Sequence, residues 1–138
     1  MSSDIKAIGF DVNGVLLQLS GVNLEVLHLA NDLQASGFKT GILSNALESE
    51  IQIMQELLVS VHDFTYCYYS SREVASKPDA RAYRSFAQKV GVLTHELLVI
   101  DDQIHNIRGA IESGASTVLF TDVQSLKTEL QEYGLLEL

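Results

Sequence analysis

The 138-residue sequence predicts a single α/β domain over residues 1–138, a five-stranded parallel sheet held between two layers of helices. Three features point there. Short apolar runs alternate with longer amphipathic ones along the whole chain. The short runs are apolar on both faces, as strands buried beneath helices on either side must be. Polar residues able to do chemistry recur at the ends of those runs, and a parallel sheet gathers such ends along one edge.

The elements follow in order. Ile5 to Phe10 is the first strand. Asn23 to Ser36 is a helix, because Leu24, Leu27, Ala30 and Leu33 recur at helical spacing and Gly37 stands where a C-terminal cap belongs. Lys39 to Leu43 is the second strand, Ala46 to Leu58 the second helix, and the aromatic run Phe64 to Tyr68 the third strand. The helix over Pro78 to Val90 opens with proline in its first turn and closes at Gly91. Leu97 to Ile100 is a wholly apolar fourth strand. A helix over Gln103 to Ser113, a strand over Thr117 to Phe120 and a helix over Val123 to Tyr133 complete the pattern. No repeat, low-complexity tract or linker interrupts it.

Composition narrows the function. Hydrophobic residues at 46% and charged residues at 20% suit a globular domain that buries its own core, and a disordered chain would differ. Cys67 is the single cysteine, so neither an internal disulfide nor a cysteine-built zinc site is expected. The N-terminus lacks the basic and apolar segments of a signal peptide, and no apolar run approaches the ~20 residues of a membrane helix. The expected location is the cytoplasm. Nine basic against eighteen acidic residues leave a net charge of −9, which argues against nucleic acid and anionic lipid as partners. A phosphate ligand would need a local cation to approach so acidic a protein.

Candidate residues lie at the strand ends. Asp11 follows the first strand, where a carboxylate can attack phosphorus, and Gly14 lets the chain turn sharply behind it. By itself Asp11 reads first as a turn residue. Asp101 and Asp102 end the fourth strand and offer hard oxygen ligands to Mg²⁺, jointly with Asp11. A helix cap would explain one of them, but two adjacent like charges repel unless a cation lies between them. Ser44, beside Asn45, could donate its hydroxyl to a phosphoryl oxygen at the start of the next helix, or merely cap that helix. Lys77, stiffened by Pro78, would supply the cation, or be a solvated lysine at a helix start. The four histidines show no metal-ligand spacing, and there is no nucleophile elbow or Walker loop.

Taken together these segments resemble the haloacid dehalogenase superfamily of phosphohydrolases. That family carries D-x-D-G-x-[LV] after the first strand, Ser or Thr after the second, Lys before a later helix and paired acids after the fourth. Here they read Asp11-Val12-Asn13-Gly14-Val15-Leu16, Leu43-Ser44-Asn45, Ser76-Lys77-Pro78-Asp79 and Ile100-Asp101-Asp102. The resemblance implies a Rossmann-like three-layer domain with Asp11 as nucleophile forming an aspartyl-phosphate. It implies Mg²⁺ bound directly by Asp11, Asp102 and the main-chain carbonyl of Asn13, with Asp101 helping through water or hydrogen bonds. Ser44, Asn45 and Lys77 would hold the phosphoryl oxygens, and Asn106 matches a structural asparagine of the acidic loop.

Two departures matter. Asn13 stands where phosphatases of the family carry the aspartate that protonates the leaving group, and an amide cannot do this. The chain also has no room for a cap domain: Asp11 and Asn23 are too close, and a helix and a strand fill the interval from Asn45 to Lys77. The site should be open unless an oligomer contact or a partner covers it. Three readings follow: a Mg²⁺-dependent, slow phosphohydrolase acting on a phosphorylated small molecule or macromolecule; a phosphate-binding or interaction module that lost turnover; or a phosphatase altered at Asn13 to trap an intermediate.

Overall fold

The computed structural model describes residues 4–58 and 64–137. Its centre is β1 (Ala7–Phe10), buried at every position and paired in parallel with β4 (Lys39–Ser44) on one side and β6 (Leu97–Asp101) on the other. β5 (Tyr66–Tyr69) and β7 (Ser116–Leu119) form the edges, so the order is β5-β4-β1-β6-β7.

Strand alternation splits the side chains between two layers. Ile8, Phe10, Ile42, Leu98 and Ile100 face a core shared with α1 (Leu24–Ala35), α2 (Glu48–Leu58) and α5 (Val123–Glu132). Ala7, Leu43, Leu97 and Val99 face α3 (Ala80–Val90) and α4 (Ile104–Ser113). The second layer is tight because Gly9 and Gly41 stand side by side in register. A Cβ on either would lie 2.9–3.0 Å from the ring of Phe86, so their bareness seats α3 on the sheet.

The chain runs outward from β1 through β4 to β5, then returns to β6 and leaves in the opposite direction. The order therefore reverses beside β1. Crevices at such reversals, outside the carboxyl ends of the strands, are where ligands bind in open α/β sheets. Asp11 and Asp101 meet there, and the Asp11 amide donates to the Ile100 carbonyl at 2.9 Å.

Several sequence expectations shift. β2 (Leu17–Gln18) and β3 (Gly21–Val22) form an antiparallel hairpin that the sequence did not announce, since two residues cannot display an alternation. α3 begins at Ala80, with Asp79 as its N-cap, so Pro78 lies outside the helix and not in its first turn. The Asp79 carboxylate accepts from the Arg81 amide at 2.9 Å, which fixes that start. α2 starts at Glu48 and β5 at Tyr66, each two residues later than expected. Among the described residues no domain is inserted between β1 and α1, where only the hairpin lies, or between β4 and Lys77. No described helix is long and apolar enough to cross a membrane.

Candidate active site

Four of the expected residues meet at the sheet edge. The Lys77 ammonium is buried, 2% exposed, and donates to Asp11 Oδ1 at 3.0 Å and to Asp101 Oδ2 at 2.7 Å. Carboxylate oxygens of Asp11, Asp101 and Asp102 lie within 4.8 Å of one another. Fully ionised, three carboxylates against one ammonium would leave the cluster at −2, the charge a divalent cation would cancel.

The three acids are not equivalent. Asp101 is fully engaged by protein: besides Lys77, its Oδ2 accepts from Asn106 Nδ2 at 3.2 Å and its Oδ1 from the Gln103 amide at 3.0 Å. Asp102 Oδ1 is buried with no hydrogen-bond partner among the described residues. An orphaned buried carboxylate oxygen costs free energy unless something positive sits against it. Asp102 does not cap α4, because Gln103 occupies the N-cap position. Burial pushes the Asp11 carboxyl up to about 7; Lys77 draws it down, while Asp101 and Asp102 raise it further. Crowded acids that resist ionising together are what a bound divalent cation would relieve.

Gly14 shapes the same corner. Its φ is +93°, which suits glycine, and a Cβ there would fall on the carboxylate of Asp102. The glycine thus serves the turn and also lets Asp102 approach the first loop. These observations fit a hard dication held by Asp11 and Asp102, with Asp101 organising Lys77 beside it.

The remaining residues fall differently. Ser44 ends β4, four residues before α2 begins, so it is neither the cap of that helix nor at its start. Its buried hydroxyl meets Met54 Sδ at 4.0 Å. Asn45, expected among the phosphate ligands, commits both amide groups to the main chain of Lys77. Nδ2 donates to the Lys77 carbonyl at 2.8 Å, and Oδ1 accepts from the Lys77 amide at 2.9 Å. Asn13 is exposed at the foot of the hairpin, where the Gly14 amide donates to the Leu17 carbonyl at 2.8 Å.

Three supports escaped the sequence reading. Tyr83, buried in α3, donates its hydroxyl to the Asn106 carbonyl at 2.7 Å, and burial followed by the Asp101 and Asp11 charges raises its phenol above the ordinary range. Tyr68 donates to the Ala75 carbonyl at 2.6 Å and pins the loop leading to Lys77. Gly109 in α4 lets that helix lie against the Pro78 carbonyl, which a Cβ would strike. Each looks like ordinary core in the sequence. Only the fold puts it beside the site.

Residues 19–114, more than half the chain, match the family model for haloacid dehalogenase-like hydrolases. The chain belongs to that family. The match takes in Ser44, Lys77, Asp101 and Asp102 and begins after Asp11 and Asn13, so the place of those two rests on the geometry above. A haloacid dehalogenase-like hydrolase domain-containing protein of Arabidopsis thaliana is 29% identical over 97 residues, 68% of this chain and 31% of its own length. A phosphatase of Mycobacterium tuberculosis is 35% identical over 86 residues, 60% of this chain and 39% of its own. The chain thus spans between three- and four-tenths of these relatives. Among solved structures, an uncharacterized protein of Corynebacterium glutamicum superposes with a TM-score of 0.74 at 24% identity, covering 96% of this chain and 97% of that one. A Bacteroides thetaiotaomicron enzyme of the family, in complex with magnesium and inorganic phosphate, superposes with a TM-score of 0.72 at 17% identity, over 85% of this chain and 94% of that one. Both share the fold.

Proposed function

We propose that the protein is a Mg²⁺-dependent phosphohydrolase working through a phosphoryl group carried on Asp11. The observation that carries this is the Lys77 ammonium, buried between Asp11 and Asp101 next to the orphaned oxygen of Asp102. A lysine so placed can meet a phosphoryl oxygen in a protein of charge −9. The Bacteroides enzyme, crystallised with magnesium and phosphate on the same fold, supports the ligand pair.

In this reading an Asp11 oxygen attacks phosphorus, the bond to the leaving oxygen breaks with its electron pair, and an acyl phosphate remains. Water then attacks that phosphorus and releases phosphate, restoring the carboxylate. Lys77 balances charge on the transferred group, and Asp101 and Asn45 hold Lys77 in place. Mg²⁺, held by Asp11 and Asp102, would neutralise the phosphoryl oxygens and counter the acidic cluster. Asn13 has no proton to give, so the leaving oxygen must take one from water, and substrates that leave readily are favoured.

A second reading has one observation in its favour. The same Asn13 would suit a module that binds phosphate without turning it over. A screen of alkyl, aryl and acyl phosphates with Mg²⁺, comparing the protein with Asp11→Asn, tests both. Phosphate release that the variant lacks is expected, with a phosphoryl adduct on the intact mass of the protein alone. Equal release by both proteins would overturn Asp11 as nucleophile. Mg²⁺-dependent binding of beryllofluoride with no release from any substrate would favour the module.

A further inference from the structure

A groove of about 310 Å³ opens beside the site, between the β2–β3 hairpin and α2. Leu17 and Val22 form one wall, Ile53, Met54 and Leu57 the other, and Asn13 lines one end. Ile53 and Leu57 are 59% and 47% exposed, large apolar side chains one helical turn apart and left in water on the α2 face that lines the groove. The groove borders the acidic cluster through Asn13, which lines it, lies two residues along the chain from Asp11 and bridges to Leu17 at the foot of the hairpin.

Its chemistry is as informative as its place. Among the described lining residues there is no lysine, arginine or aromatic ring, and the one charge is Glu50. Glu50 already accepts from the Leu47 amide at 2.8 Å. A second anion on a substrate would face a carboxylate here with no cation to meet it, in a protein of charge −9. A nucleobase would find nothing to stack on. An uncharged hydrocarbon body would find apolar walls and a volume near the lower bound of small-molecule sites, ~300 Å³. A protein segment needs about 1,000 Å² of complementary surface, which a groove this small does not offer.

Resting on the phosphohydrolase reading, we propose that this groove receives the leaving-group half of the substrate. That substrate is a phosphate monoester of an apolar alkyl or aryl alcohol carrying no second anion, and Ile53 and Leu57 set the preference. Such esters include the aryl class that an enzyme without a proton donor at position 13 handles best.

Calorimetry with Mg²⁺ separates the possibilities without turnover. 1-Naphthylmethylphosphonate should bind the protein about tenfold or more tightly than methylphosphonate, as burial of an aromatic body predicts. Ile53→Gln should remove most of that gap and leave methylphosphonate affinity unchanged, whereas Ile111→Gln, equally exposed on α4, should leave the gap intact. Leu57→Gln is the second variant if Ile53→Gln does not fold. Equal affinity for the two phosphonates would overturn the groove and leave the phosphate site standing. Tighter binding of a bisphosphonate than of the naphthyl compound would do the same. Binding of neither would overturn the phosphohydrolase reading and the groove with it. A dimer in light scattering that Ile53→Gln disperses would assign the groove to a second copy of the chain.

Discussion

Lys77→Met is the perturbation that reads the cluster most directly. The lysine side chain is 2% exposed, and its partners Asp11 and Asp101 are 11% and 0% exposed, so little solvent screens either pair. Removing one partner of a buried ion pair typically costs about 3–5 kcal/mol, most of it from the charge left behind. The lower end applies here. Asp101 keeps its bonds from Gln103 and Asn106, and Asp11, raised to about 7, can take up a proton near neutrality. At pH 8 in chelator the variant should therefore lose about 3 kcal/mol, or ~12 °C in a domain of this size. Mg²⁺ should narrow the gap, because three unopposed carboxylates attract a dication more than a cluster that already holds an ammonium. Urea and thermal unfolding in chelator and in Mg²⁺ measure both effects, with Lys77→Met, Asp101→Asn as the double variant. That double variant should be more stable than Lys77→Met alone. A loss under 1 kcal/mol in chelator, or a gap that Mg²⁺ leaves unchanged, would refute the buried-cluster reasoning.

Asp102→Asn should raise the metal-free melting temperature, since it removes one of three crowded charges, and should abolish the rise on adding Mg²⁺; an unchanged Mg²⁺ response in calorimetry would exclude Asp102 as a ligand. Asn13→Asp should raise turnover of alkyl phosphates by the ~10²–10⁴ typical of general acid–base catalysis, with a smaller gain for aryl phosphates. Intact-mass control is needed, because glycine after Asn13 favours deamidation to the same residue. The Asp79 carboxyl, bonded to the side chain and then the amide of Arg81, is lowered to about 2, so its contribution is complete above the unfolded value near 4 and lost as pH falls through 2. The stability difference between wild type and Asp79→Ala in urea titrations should therefore be present at pH 7 and shrink toward pH 2.

Much of this was legible in the sequence because it depends on local pattern. Buried parallel strands must be apolar on both faces, so Leu97–Ile100 and Ile42–Leu43 declared themselves, and the helices between them show a 3.6-residue stripe. Asp11, Asp101 and Asp102 were legible as a group and not singly: each could be a turn or cap residue alone, but all follow strands whose ends a parallel sheet gathers along one edge. The hairpin was hidden because Leu17–Gln18 and Gly21–Val22 are too short to show a period. Pro78 misled because proline suits a helix's first turn, yet Asp79, one residue on, is the better cap and takes the N-cap position.

Asn45 shows why side-chain roles are harder to read than positions. Its spacing from Ser44 put it at the right edge of the sheet, and a polar residue there reads as a ligand. The fold brings the Lys77 main chain alongside it, and the amide matches that peptide's donor and acceptor at 2.8 and 2.9 Å. Asn45→Ala would take that partner from both groups, but Asn45 is itself exposed, so water can replace it and the loss is about 0.5–1.5 kcal/mol for each hydrogen bond. Its telling effect would be on Lys77, whose ammonium would no longer be held to one position between Asp11 and Asp101. Phosphonate affinity in Mg²⁺ should therefore fall in Asn45→Ala by more than its stability loss at the same temperature explains. Asn45→Asp should not restore it, since a carboxylate accepts from the Lys77 amide but repels the carbonyl. Unchanged affinity in a folded Asn45→Ala protein would mean that Asp11 and Asp101 alone suffice to hold Lys77.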